Sequence, residues 1–173
     1  MAIDTGLLIL RLVVGLIFAA HGAQKMLGWW GGPGLAGWRG AMERMGLRPA
    51  AVWAVISALA ELAGGLLFAL GLLTPLVVAV LIAQSIVIVG KVHLPRGFWN
   101  AKGGVEFPLS LAAGIVAIAL TGPGADSLDR ALNLRYSTSL QIAVITLGIL
   151  GGLGTIALPR LIPTRRTTAP QPR

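Results

Sequence analysis

Long apolar runs, parted by short glycine- and proline-rich breaks, set the pattern of this chain. A helix crossing the hydrocarbon core of a bilayer needs about 20 apolar residues. Runs over about 5–27, 50–73, 75–93, 105–121 and 137–158 approach or meet that length. The pattern predicts an all-α integral membrane protein: a four-helix transmembrane bundle followed by a fifth, C-terminal transmembrane helix. Residues 28–50 break this rhythm. There Leu35, Trp38, Met42 and Met45 recur at helical spacing opposite Arg39, Glu43 and Arg44. This predicts a short amphipathic helix in the interface, with Trp29, Trp30 and Trp38 at headgroup level. The domain division that follows is a core over 1–136, an added span over 137–158 and a disordered basic tail over 159–173. In the loop after the fourth run, Ser127 is placed to cap one helical turn.

Polar residues inside the runs stand out because burying them in lipid is costly. On the first run, Arg11, His21, Gly22 and Lys25 fall within an arc of about 100° at the α-helical repeat. A stripe of this kind must face other helices or a wet cavity. On the second, Ser57, Glu61, Gly64, Phe68 and Gly71 share a face, with Glu61 near mid-membrane. A carboxylate there should be paired, hydrogen-bonded or protonated, and Arg11, about one turn from its depth, is a geometrically reasonable partner for a structural ion pair. Gln84 and Lys91 share a face of the third run, which leads into a second glycine-rich loop containing His93 and ending at Glu106. On the fifth, Gly148 and Gly152 have the spacing of a close helix contact.

Composition sharpens the picture. Of 173 residues 55% are hydrophobic and 12% charged, about half the charge of an ordinary soluble domain. With no cysteine, thiolate metal sites, iron–sulfur clusters and disulfide chemistry are excluded. The net charge of +8 reads as membrane topology, and nucleic acid is not an expected partner. Eleven basic residues fall on one side of the bundle, the side of Lys25, Lys102 and the tail, against Arg130 and Arg135 on the other. The positive-inside rule makes the richer side cytoplasmic and puts the N-terminus outside.

His21, Lys25, His93 and Glu106 come from three different spans and lie toward the cytoplasmic ends of their helices, which predicts an inward-facing polar pocket lined by these four residues and by Glu61. His93 with Glu106 suits either an acid–base pair at its mouth or a helix cap and loop anchor. A bis-histidine haem is disfavoured because the two histidines differ in depth. A metal site is not assigned, since no ligand pair is spaced three or four residues apart.

The order of motifs resembles that of the DoxX family of small bacterial membrane proteins, within the DoxX and surfeit-locus-4-like group. The residues that carry the resemblance are Arg11-Leu12 leading to His21-Gly-x-Gln-Lys25, Gly31-Gly-Pro-Gly34 and Glu61-Leu-x-Gly-Gly65. They continue with His93-Leu-Pro-x-Gly-Phe98, Gly103-Gly-x-Glu106-x-Pro108 and Thr121-Gly-Pro-Gly124. The resemblance implies a four-helix membrane core in the bacterial cytoplasmic membrane. It also implies association with quinone-linked or oxidative and thiol-stress redox systems. It carries no catalytic residue and does not reach the fifth span or tail.

The functional expectation is a membrane subunit of such a system, with the pocket binding a quinone or another small polar-headed ligand. No cofactor is built into the chain, so electrons would come from a redox partner protein; homo-oligomerisation stays open. Two other classes fit the same residues: a non-catalytic tether for cytoplasmic redox enzymes, and a small-solute or proton carrier using Glu61.

Overall fold

The computed structural model describes residues 2–161, and these are helices joined by turns. Helix α1 spans Ala2–Leu27, α2 Gly34–Arg44, α3 Ala50–Leu70, α4 Thr74–Val87, α5 Glu106–Thr121, α6 Leu128–Ala131 and α7 Thr138–Leu161. A π-helical stretch, Ile88–His93, continues α4. Four segments, Ala2–Leu27, Ala50–Leu70, Thr74–Arg96 and Thr138–Pro159, are long and apolar enough to cross a membrane. Helix α5 is shorter, 16 residues, or about 24 Å at the α-helical rise. The chain is therefore an α-helical membrane bundle. Helix α7 continues beyond Leu158 to Leu161, so the first residues expected in the tail are helical. The rest of that tail lies outside the described residues.

Helices α1 and α3 run antiparallel in the most extensive contact of the fold. Lipid is as apolar as the side chains it would replace, so close packing rather than the hydrophobic effect must hold the pair together. Small residues supply that approach. A Cβ on Gly22 would lie 2.2 Å from the Leu62 nitrogen, and one on Gly65 would lie 2.4 Å from the Ala19 nitrogen. One on Gly15 would meet the Ala69 nitrogen at 2.7 Å. The same device seats α7 on α4, where Gly148 and Gly152 meet the backbone of Ala79 and Ala83. Between these pairs lies an apolar core including Val14, Phe18, Phe68, Leu81 and Ile115.

Helix α2 differs from expectation in what its apolar face touches. Met42 is buried with Leu47, Ala50 and Ala54, and Leu35, Trp38 and Met45 pack against that cluster. The face is covered by the start of α3, so Trp38 is turned into the protein, while Trp29 and Trp30 stay exposed. Lys25, α2, the 94–105 loop and the end of α7 share one end of the bundle, as Gly46 against Pro159 shows. The N-terminus, the α3–α4 turn and α6 share the other.

Candidate functional site

Glu61, on α3, is fully buried. Lys25, on α1, donates from Nζ to both of its carboxylate oxygens. Gln84, on α4, donates from Nε2 to Glu61 Oε1 at 2.7 Å and to Ser57 Oγ at 2.8 Å. Three helices thus contribute to one polar cluster inside an apolar bundle. Two buried charges lose several kcal/mol each on leaving water, and geometry of this quality is needed to offset that loss. The α1–α3 packing brings it about: with Gly22 against Leu62, the next turn of α1 carries Lys25 to Glu61. Lys25 Nζ also lies 4.3 Å from the centroid of the Trp38 ring, a favourable place for a cation.

Beside this cluster is a cavity of about 210 Å³. Phe18, Trp38, Ile88, Phe107 and Leu111 give it apolar walls, and Lys25, Glu61, Ser85, His21 and His93 are its polar lining. His21 is on the exposed side of α1, 6.4 Å edge-on from the Phe107 ring. The π-helical stretch presents Ile88, Val92 and His93 to the cavity, and such distortions recur at functional sites. His93 Nδ1 is 2.7 Å from the Gly103 carbonyl. That oxygen can only accept, so Nδ1 carries the proton and a neutral ring keeps Nε2 as an acceptor. Two buried donors on the lining, Ser85 Oγ and Trp38 Nε1, have no hydrogen-bond partner. A second cavity, about 180 Å³, adjoins Ser57 and Gln84 and shares Trp38, Ile88 and Val92 with the first.

His21, Lys25, Glu61 and His93 therefore line one cavity. Glu106 does not: its Oε2 accepts the Asn100 N–H at 2.9 Å, and its own N–H donates to Phe98 O. It anchors the loop, and His93 bonds to Gly103 instead. The expected Arg11–Glu61 pair is also corrected. Antiparallel packing carries Arg11 to Gly71, where a Cβ would sit 1.7 Å from Nη1. Its Nη2 donates to the Asp126 carbonyl. Among the cavity residues that escaped the sequence reading are Trp38, assigned to the headgroups, Ser85 and Phe107. A lone serine in an apolar run gives little signal, whereas Gln84 shared a face with Lys91 and was visible as an oddity.

The other end holds a separate polar knot. Arg11 is fully buried, with the carboxylates of Asp126 and Asp129 as opposing charges. Asp129, also buried, accepts the N–H groups of Leu73 and Thr74 at 2.7 and 2.9 Å. It thereby caps the start of α4 from a distant loop. Tyr136 donates to the same carboxylate at 3.1 Å. Burial, then this bond, push the phenol up to about 12. Ser127 Oγ accepts the Arg130 N–H and so caps α6. Gly71, which ends α3 with φ 63°, has no room for a side chain beside Arg11. Among the described residues no group of three or more His, Cys, Asp or Glu is arranged to hold a metal.

The chain matches the family model of DoxX over residues 6–94. It is 32% identical over 136 residues to the uncharacterized membrane protein Rv3486 of Mycobacterium tuberculosis, covering 73% of this chain and 80% of that protein. It is 30% identical to the inner membrane protein YqjF of Escherichia coli, over 77% of this chain and 96% of the relative. For the inner membrane protein YphA of the same organism the identity is 30%, over 72% and 88%. No solved structure matches it.

Proposed function

The chain belongs to the DoxX family, and from that premise we propose that it is a membrane subunit of a redox system whose cavity binds a quinone or a similar small polar-headed ligand. One observation carries the reading: a buried Lys25–Glu61 pair, braced by Gln84, forms part of the wall of an otherwise largely apolar cavity with His21 and His93 on its lining. Ligand sites typically combine apolar walls with a few fixed polar groups. A quinone head needs a flat apolar slot and donors for its ring oxygens; its reduction takes up two electrons and two protons. Lys25, His21 and His93 are groups able to donate hydrogen bonds or carry protons. Glu61 and Gln84 hold Lys25 in place. Electrons come from a partner protein. The basic residues at the cavity end favour a cytoplasmic opening in the bacterial inner membrane, with the N-terminus outside.

The test is binding of a short-chain benzoquinone analogue to purified protein in nanodiscs, followed by quenching of tryptophan fluorescence. The expected result is saturable binding, weakened at least about tenfold by Lys25→Met or His21→Ala. Absence of binding, or binding indifferent to both substitutions, overturns the reading.

A further inference from the structure

The geometry points to a two-compartment site for an uncharged, tailed molecule: its acceptor-bearing head sits against Ser85 and Trp38 in the first cavity, and its apolar tail lies in the second. This rests on the reading of the first cavity as a ligand site and specifies the class of ligand.

Charge comes first. Lys25 and Glu61 already neutralise one another, so the lysine charge on the lining is not free for an anion. A negative head would also meet the Glu61 carboxylate. The unsatisfied groups are neutral donors. Ser85 is 5% exposed, lines the cavity and has no partner for Oγ. Helical serines commonly bond back to the carbonyl four residues earlier, and Ser85 does not. Trp38 Nε1, on the same lining, is likewise buried and unpartnered. A buried donor without an acceptor costs about 1–3 kcal/mol, and a carbonyl-type oxygen on a ligand would remove that cost for either group.

The second cavity has a different character. Met42, Met45, Trp53 and Ile56 are among the residues of its wall, and Trp38, Ile88 and Val92 line both cavities. Methionines adapt to irregular apolar shapes, which suits a flexible chain. Ile56 and Val80, both on its lining, are also exposed on the outside of the bundle. Those two residues mark a lateral entrance between α3 and α4 on the lipid side. A head enters from the membrane and lodges beside Lys25, and the tail trails behind Trp38.

The test compares two probes in nanodiscs at matched mole fraction in the bilayer: a tail-less benzoquinone and the same head on an alkyl chain bearing a diazirine. Photolysis of the tailed probe is expected to label residues around Met45, Trp53 and Ile56. Ala60→Phe, which fills the second cavity, is expected to weaken the tailed probe at least about tenfold while the tail-less probe stays within about twofold. Ser85→Ala should weaken both by about two- to tenfold. A diazirine phospholipid serves as a third arm. If both quinone probes bind but label falls only on outward residues such as Leu16, the inference is overturned and the head site stands. It is equally overturned if the phospholipid labels Met45 and Ile56 and the tailed quinone fails to compete. If neither quinone probe binds, the head-site reading falls and this inference falls with it.

Discussion

Lys25 and Glu61 form an ion pair across the α1–α3 contact, with the lysine amino group spanning both carboxylate oxygens of a fully buried glutamate. Removing one partner leaves the other as an uncompensated charge in a low-dielectric interior, a loss of about 3–5 kcal/mol. Lys25→Met and Glu61→Leu are each expected to destabilise the protein on that scale. The double substitution should recover most of the loss, because no charge is left behind. Denaturant unfolding in detergent measures it. A double variant as unstable as the two single losses added together would show that the pair does not act as a unit.

A glycine of the same contact and one outside it yield a prediction of opposite signs within one substitution type. Gly65→Ala forces a methyl to within 2.4 Å of the Ala19 nitrogen and is expected to cost about 1–3 kcal/mol. Gly151→Ala, on α7 with nothing within 4 Å of its added Cβ, should be neutral or stabilising by up to about 1 kcal/mol, since alanine is the better helix former. Unfolding of the two variants under identical conditions decides the matter.

These contacts also explain what the sequence could convey. Helix number and order were legible because each span must satisfy its backbone internally and so appears as a long apolar run. Glu61 announced a need for a partner by its depth alone. Its partner was not legible, because depth along separate helices does not determine register. Register follows from Gly22 meeting Leu62 and Gly65 meeting Ala19, contacts that place Arg11 at the far end and Lys25 beside the carboxylate. His21 and His93 could be assigned to one region, since both are polar exceptions near the same end. Trp38 was misplaced because an amphipathic helix looks the same whether its apolar face meets lipid or α3. Ser85 gave almost no signal, being one small hydroxyl among aliphatics.

Tyr136 is the single tyrosine of the chain, so phenolate absorbance near ultraviolet wavelengths reports it alone. Its titration midpoint is expected at about 12, because burial and the bond to Asp129 favour the neutral phenol. Asp129→Asn should move it down toward the ordinary value of about 10. The sign for stability follows from a folded pKa above the unfolded one. The contribution is complete below about pH 10 and disappears as pH rises through about 12. A wild-type midpoint near 10, unchanged in the variant, would rule out this coupling.

The orientation proposed for the bundle is open to a direct test because the chain contains no cysteine of its own. Lys102 lies in the loop before α5, at the cavity end, and Arg130 lies in α6 at the opposite end. Single cysteines introduced at these two positions should respond oppositely to a membrane-impermeant thiol reagent applied to intact spheroplasts. Arg130→Cys is expected to react and Lys102→Cys to react only after the membrane is opened. Each site is exposed, so an unreactive cysteine reports sidedness rather than burial. The reverse pattern would turn the cavity end outward. It would place the polar pocket where a cytoplasmic electron donor cannot reach it, and the redox reading would then require its partner on the outer face.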